Sequence, residues 1–374
     1  MVKNIALRNS KMFLKRIELK NYRKFSEIHF DFTSETVIIL GENAVGKTTI
    51  LEAINVLGTT KTPKNSNLAE CIKENKEFFC VSGLINDGKK DKKLFISYSN
   101  GEKKALVDGD VCSKISGYIK NFLVVYFQPL DSLKYSISSQ NRRTLFDSYF
   151  SILSDDYLKE LIKYKKVLKE KNAILKMNDF GDAYQKKVLL SMMNEKLAES
   201  IKIITTTRQE QLKKINSEIK KIHRIFSSCE EAEIKFYPST ENPEADLKLC
   251  LENDIITKTS TKGSHKDDYE FLINGKNISD FCSQGQQKSF VLSLKIAMLE
   301  ILTIEKNTSP VLILDDAFGD LDAKRQNAIF EIIKDKAQTF ISTTSLKQID
   351  KKIIERSQII EIKRGAEFDE WRYA

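Results

Sequence analysis

No stretch of this chain stays apolar long enough to cross a bilayer. The most hydrophobic helical segment, Phe290 to Ile304, is interrupted by Lys295 and Glu300, which argues against a membrane-spanning helix. Near the N-terminus only Ile5, Ala6 and Leu7 form an apolar patch, too short for the core of a secretory signal, and residues 1 to 11 read as a disordered leader. The six cysteines, at 71, 80, 112, 229, 250 and 282, contain no C-x-x-C pair and have no nearby histidine at ligand spacing. Neither a zinc site nor a disulfide framework is expected, so reduced, mostly buried thiols and a cytoplasmic location follow. No internal repeat is visible. What remains is an ordinary globular composition, 374 residues of which 41% are hydrophobic and 30% charged, enough for one large or two medium domains.

The net charge is +9, and its placement says more than its size. Between Leu161 and Arg224, sixteen Lys and Arg stand against seven Asp and Glu, which accounts for the excess of the whole chain. A local basic stripe is the electrostatic footprint expected for nucleic acid. The solvated face of a long helix gives the same count.

Val37 to Leu40 is a short apolar run of the kind that forms a buried parallel strand. Directly after it, Gly41, Glu42, Asn43, Ala44, Val45, Gly46, Lys47 and Thr48 fit G-x-x-x-x-G-K-[ST]. In that spacing successive backbone N–H groups curl around a phosphate, the lysine reaches the β- and γ-oxygens, and the hydroxyl of Thr48 serves Mg2+. Thr49 continues the loop into a helix marked by Ile50, Leu51, Ile54 and Leu57, whose N-terminus adds its dipole to the same anion site. A chance glycine-rich turn would lack the strand and helix on either side.

Alternating segments precede and follow this loop. Phe13 to Leu19 and Ile28 to Phe32 read as strands, and the runs between Phe78 and Val107 are divided by Asn86-Asp-Gly88 and Asn100-Gly101, signals for hairpins. Phe122 to Phe127 is a further buried strand. From about Arg142 to Phe226 the period becomes helical, with Tyr157, Leu158, Leu161, Ile162, Tyr164, Val167 and Leu168 on one helix. Leu190, Met193, Leu197, Ile201, Ile204, Leu212, Ile215, Ile219 and Ile222 mark a longer helix after a turn at 178–182. An acidic linker follows Tyr237-Pro238. The expected fold is α/β, a P-loop ATPase head with mixed sheets split into 12–130 and 255–374, with an inserted α-helical lobe over 131–254.

Pro310-Val-Leu-Ile-Leu-Asp315-Asp316 is a buried strand ending in two carboxylates. Asp315 is placed to hold Mg2+ opposite Thr48, and Asp316 to polarise the attacking water as general base. The plainer reading is that two adjacent acids cap the next helix. Ser283, Gln284, Gly285 and Gln286 open another apolar helix and form a second anion device. One chain can fill only one of its two devices with its own nucleotide, so the second points to a nucleotide held by another copy and to an ATP-dependent homodimer. Taken alone, the segment is also an ordinary helix cap.

These segments together resemble the RecF family, bacterial recombination mediators of the SMC/ABC-type ATPase class. The resemblance runs over nearly the whole length from Met12. It rests on the segments Leu14 to Phe25, Gly41 to Thr48, Gln140 to Asp147, Tyr164 to Lys176, Gly263 to Asp268, Ser283 to Gln287 and Leu312 to Asp322, in that order. It implies an ATP- and Mg2+-dependent dimer that binds double-stranded and gapped DNA and assists recombinase loading. Slow, DNA-stimulated hydrolysis, recombination-mediator partners and no membrane association are also implied.

Carried over by position, Ser283 to Gly285 resemble the signature motif that reaches the partner's γ-phosphate, and Gly319 to Asp322 the loop at the dimer seam. Gln128 sits where a switch-loop glutamine couples nucleotide to the helical lobe, and Thr343 or Thr344 where transporters keep a histidine. Ala44 replaces a usual glycine, Ser264 and Lys266 replace a usual proline and arginine, and Leu130 replaces a usual acid. His265, Asp267 and Asp268 read as a surface loop rather than a metal cluster. The alternatives are an SMC-like or defence-system ATPase acting as a DNA clamp, and an ATPase of the overcoming-lysogenization type.

Overall fold

In the computed structural model, which describes residues 10–63, 66–178, 180–319 and 321–363, strand and helix follow the periodicity closely. In chain order the elements that position the site are β1 (Phe13–Tyr22), β2 (Phe25–Asp31), β3 (Thr36–Leu40), α1 (Lys47–Thr59), β4 (Phe78–Asn86), β5 (Asp91–Ser99), β6 (Glu102–Val107) and β7 (Val124–Phe127). Then come α2 (Ser139–Leu153), α3 (Asp155–Lys176), α4 (Ala183–Phe226), β8 (Ala232–Tyr237), β9 (Asp268–Ile273), α5 (Gln284–Lys306), β10 (Val311–Leu314), α6 (Ala323–Ile333), β11 (Thr339–Thr343) and β12 (Ser357–Glu361). They form two units, one from the described residues up to Asp131 together with those from Val291 onward, the other Ser132–Phe290.

In the first unit, β3, β7, β10, β11 and β12 make a parallel sheet in the order β12-β3-β11-β10-β7. Val37, Ile38, Ile39 and Val311 to Leu314 are buried, the continuous apolar run that a sheet covered on both faces requires. The register pairs Leu40 with Thr343 and Leu314 with Phe127, so the loops after β3, β7, β10 and β11 leave from one edge. Ligands of open parallel sheets bind at this carboxyl edge. A second, antiparallel sheet runs β2-β1-β4-β5-β6, with Asp110–Val111 beyond β6. Its β5–β6 turn has Asn100 and Gly101 both at positive φ, the pair of conformations a two-residue hairpin turn demands. Ile28, Phe30 and Phe32 are buried together, as their alternation predicts. Most of the expected leader lies outside the described residues, while Ser10 and Lys11 pair in parallel with Thr308 and Ser309.

The second unit is built on α3 and α4. Leu190, Leu197, Ile201, Ile204, Leu212, Ile215, Ile219 and Ile222 are all buried along α4, whereas Ile162 of α3 is exposed and leaves the apolar stripe. Residues 177–182 separate the helices, Asp182 caps α4 by accepting from Tyr184 N–H, and residue 179 of the expected turn lies outside the described residues. This unit continues past Asp254 to Phe290 because β8 is tied to α4: Asn216 donates to Ile234 O and accepts from Ile234 N–H, both at 2.8 Å. β9 then pairs antiparallel with β8.

Two expectations need correction. The acidic stretch after Pro238 is not a linker: it forms the helices Pro243–Leu249 and Leu251–Thr257, and Asp254 is fully buried against the equally buried Lys171 at 2.6 Å. The thiols are free, but only Cys71 is buried and Cys229 is exposed. No helix among the described residues is long and apolar enough to cross a membrane.

Candidate functional site

The 41–48 loop leaves β3 at the carboxyl edge of the parallel sheet and enters α1. Gly41 is required by close approach, since a Cβ there would stand 2.6 Å from Ile362 O and 2.8 Å from the Val45 side chain. Gly46 has φ 109, and a side chain would meet Lys24 and the Phe25 ring. Ala44 has φ 65, a left-handed conformation that a glycine would adopt without the penalty of about 1–2 kcal/mol that a Cβ brings.

Lys47 is 8% exposed, and its ammonium donates to Gly41 O at 2.7 Å and Glu42 O at 2.8 Å. Burial lowers its pKa, against the opposing charges of Asp316 and Asp315. Lys24, from the β1–β2 turn, donates to Ala44 O and Val45 O on the same loop.

Asp315 follows β10 at the same edge. Thr48 Oγ1 donates to its Oδ1 at 3.2 Å, Ser342 Oγ donates to Oδ1 at 2.7 Å, and Tyr126 O–H donates to Oδ2 at 2.8 Å. Burial and the Asp315 charge hold the Tyr126 phenol well above the usual tyrosine range, so it remains a donor. Asp316 is exposed, has φ 53, and its N–H donates to Ser342 Oγ at 2.8 Å. Tyr126 and Ser342 were not legible as site residues, because each lies inside a strand whose apolar pattern explains it without chemistry.

The other candidate residues are dispersed over both units. Gln128 is buried, and its amide donates to Asp131 at 3.3 Å. Thr343 is buried and donates to Ser345 O, while Thr344 is exposed. Residue 320 of the 319–322 loop lies outside the described residues, and Asp322 caps α6 by accepting from Arg325 N–H at 2.9 Å.

In the second unit, Ser283 and Gln286 make a reciprocal capping box at the start of α5: Ser283 Oγ accepts from Gln286 N–H at 3.3 Å, and Gln286 Oε1 accepts from Ser283 N–H at 2.9 Å. Ser283, Gln284 and Gly285 are not buried, and a Cβ on Gly285 would meet nothing nearer than Ser283 Oγ at 3.9 Å.

The Gly263 to Asp268 segment is not the surface loop expected of it. Arg208, 1% exposed, donates to Asp267 Oδ2 at 2.5 Å, Asp147 Oδ1 at 2.7 Å, Ser264 O at 3.0 Å and Tyr157 O–H at 3.1 Å. Arg142 holds Asp268 with two parallel hydrogen bonds, at 3.0 and 2.8 Å. His265 faces Ser260 O through Nε2, which must therefore carry the proton, leaving Nδ1 to accept from Tyr164 O–H. Burial pushes this histidine down to about 4. The 140–147 and 263–268 segments thus meet in a set of ion pairs buried at Arg208–Asp267 and partly exposed at Arg142–Asp268, and no metal-ligating cluster occurs among the described residues.

The basic stripe is in good part answered by acids, several of them outside it. Lys165 and Arg208 pair with Asp147, Lys171 with Asp254, Lys187 with Glu252, Lys202 with Glu244 and Lys220 with Glu231.

Similarity to known proteins extends over nearly the full length of the chain. A family model described as an AAA domain matches residues 16–253. DNA replication and repair protein RecF from Bacillus cereus (strain G9842) is 34% identical over 367 residues, covering 95% of this chain and 98% of that protein. RecF from Bacillus thuringiensis (strain Al Hakam) matches at the same identity and coverage. Among solved structures, the recombination mediator protein RecF-ATP of the RecFOR pathway superposes with a TM-score of 0.88 at 28% identity, covering 100% of both chains. The Smc head domain from Pyrococcus furiosus, at a TM-score of 0.55 and 15% identity over 95% of this chain and 94% of that one, shares the fold. On this identity and coverage, the chain belongs to the RecF family of DNA replication and repair proteins.

Proposed function

We propose that this chain binds ATP with Mg2+ on its 41–49 loop, dimerises with ATP bound, and hydrolyses ATP slowly. In the dimer it holds double-stranded DNA near single-strand gaps and, with recombination-mediator proteins, assists recombinase loading. The observation that carries this reading is the Thr48–Asp315 hydrogen bond, which brings together a loop hydroxyl and a strand-end carboxylate 267 residues apart. Both are hard oxygen ligands of the kind Mg2+ takes, and the ion when bound would neutralise charge on the β- and γ-phosphates. The similarity to RecF-ATP supports the choice of nucleotide.

In this reading the N–H groups of Val45 to Thr49 cradle the phosphates, and Lys47 exchanges two loop carbonyls for phosphate oxygens. Asp316, exposed beside Asp315, takes the proton of the attacking water. Gln128, held by Asp131, lies at the start of the segment that follows β7 and links nucleotide to the second unit. The start of α5, with its capping box formed by Ser283 and Gln286, offers the open face of Gly285 to the nucleotide of a second copy. Sizing with ATP, ADP and no nucleotide, each with and without duplex DNA, tests the whole reading: a dimer is expected with ATP alone, strengthened by DNA.

Asp316→Asn is expected to bind ATP at wild-type affinity, remain dimeric and lose hydrolysis by about 10²–10⁴-fold, the usual contribution of a positioned base. Asparagine tolerates the left-handed backbone at φ 53, so the substitution tests chemistry rather than strain. Wild-type single-turnover hydrolysis would move the base elsewhere.

For DNA, reversing Lys213, Lys214 and Lys220 to glutamate should weaken binding for all sequences alike. The slope of log affinity against log salt should fall by about 0.9 for each phosphate that is no longer neutralised. ATP affinity should not change. Because Lys220 pairs with Glu231 at 2.8 Å, unfolding of the variant is measured alongside. An unchanged salt slope with dimerisation intact would leave these lysines as a solvated helix face.

A further inference from the structure

Asp316 is exposed, yet its backbone is closely fixed. At φ 53 it occupies the left-handed region, which a residue with a Cβ holds only when its surroundings impose it. Two contacts flank it. Its N–H donates to Ser342 Oγ at 2.8 Å, and two residues on, Phe318 O accepts from the side-chain amide of Gln326 at 2.9 Å. The Phe318 ring is itself buried.

Gln326 lies near the start of α6 and is 2% exposed. Its Nε2 stands 2.9 Å from Phe318 O, 2.9 Å from Leu321 O and 2.6 Å from Gln348 O, so two N–H groups serve three carbonyls. Its Oε1 accepts from Asp350 N–H at 3.1 Å. The amide can face only one way, because turning it over would set its oxygen against the three carbonyls and its N–H groups against that of Asp350. One buried side chain thus ties the loop that leaves β10 to the loop that leaves β11. The second loop also meets the phosphate loop: Thr343 O accepts from Gly41 N–H at 3.3 Å, and the Thr343 hydroxyl donates to Gln348 Oε1 at 3.1 Å. Asp316 and the first glycine of the 41–48 loop are therefore referred to the same short segment, 342–350.

Resting on the reading of Asp316 as the base, we propose that Gln326 is a positioning residue for ATP hydrolysis. By pinning the Phe318 and Leu321 carbonyls to the 348–350 backbone, it fixes where the Asp316 carboxylate stands relative to a nucleotide on the 41–49 loop. Gln326 acts through Asp316 alone. A displacement of about 1 Å in a reacting group can cost about 10²-fold in rate, so an exposed base depends on the backbone that carries it.

The test is single-turnover hydrolysis by the full chain at saturating ATP, beside equilibrium binding of a slowly hydrolysed ATP analogue, sizing with ATP, and urea unfolding. Gln326→Leu fills the space without donor or acceptor. Its hydrolysis should slow by about 10²-fold, while analogue affinity and dimerisation stay at wild type. In an Asp316→Asn background the same substitution should slow hydrolysis no further, because residues that act as a unit are not additive. Gln338→Leu controls for stability: Gln338, 1% exposed, sits at the other end of β11 and holds the Leu14 backbone with hydrogen bonds of 2.7 and 3.1 Å. It should lower stability to a similar extent and leave hydrolysis unchanged. Gln326→Asn, whose amide is one methylene shorter, carries the same expectation if the leucine variant does not fold.

Wild-type hydrolysis in a folded Gln326 variant, an equal loss in Gln338→Leu, a loss explained by weaker analogue binding or failed dimerisation, or losses that add in the Gln326→Leu, Asp316→Asn double variant would each overturn the assignment. Wild-type hydrolysis in Asp316→Asn alone would instead overturn the reading of the base on which it rests.

Discussion

Lys47→Ala is expected to abolish the proposed ATP-driven dimerisation and to lower ATP affinity by at least about 10²-fold, with the fold surviving. The ammonium stands on the loop within the field of the two carboxylates, and hydrogen bonds to a charged group are each worth about 1.5–3 kcal/mol. It donates to Gly41 O and Glu42 O, which shows how far it reaches across the loop. A methyl group reaches neither those carbonyls nor a β- or γ-oxygen. Stability is little affected, because α1 is held by Ile50, Leu51, Ile54, Val56 and Leu57, all buried, and alanine is a good helix former at its first position. Sizing with and without ATP, beside calorimetric titration, is the measurement. A variant that dimerises with ATP at wild-type affinity would remove the central claim about this loop.

Arg208→Ala is expected to be the most damaging single change outside the nucleotide site, costing about 3–5 kcal/mol of a total that is commonly about 5–15. The guanidinium is the hub at which α2, through Asp147, α3, through Tyr157, and the 263–268 segment, through Ser264 and Asp267, all meet α4. Removing it leaves the Asp267 carboxylate, 1% exposed, without its cation. Asp267 is already raised above the usual carboxylate range by burial, opposed chiefly by Arg208, and in the variant it should rise further.

The pH dependence follows from the sign of that shift. A carboxyl whose folded pKa lies above its unfolded value binds more protons in the native state, so stability increases as pH falls through the interval between the two values. The deficit of Arg208→Ala should accordingly be larger at pH 8 than at pH 5. Arg208→Lys should recover only part of the loss, because one ammonium cannot serve acceptors on four sides in a planar fork. Urea unfolding and amide exchange along α4 read this directly. A loss below about 1 kcal/mol with no pH trend would show that the cluster is replaceable.

Much of the conformation of the candidate nucleotide loop could be read from spacing, since backbone conformation there is dictated by local residue type. Gly41 and Gly46 occupy places where a side chain has no room, and β3 and α1 announce themselves by apolar period. The position of Asp315 was readable too, at the end of a short, wholly apolar strand. The 263–268 segment was misread because six polar or small residues in a row resemble solvated loop. Its burial depends on Arg208 and Asp147, which lie far from it in the chain. The acidic stretch after Pro238 was misjudged for a related reason: Asp254 is buried only because Lys171 arrives from α3.

By itself, the sequence determined the strand-loop-helix of the candidate anion site, the order of the strands along the chain, the hydrophobic stripe of α4 and the family to which the chain belongs. These depend on side-chain size, period and spacing among near neighbours, which a linear reading contains. Only the tertiary structure decided which strands lie side by side, and therefore that Tyr126 and Ser342 close on Asp315 from opposite sides. It also decided that much of the counted positive charge is answered by acids brought in from elsewhere, through ion pairs such as Lys171–Asp254 and Lys220–Glu231. Charge pairing and hydrogen-bond direction act over a few ångströms between residues that can be hundreds of positions apart, and no local pattern carries that information.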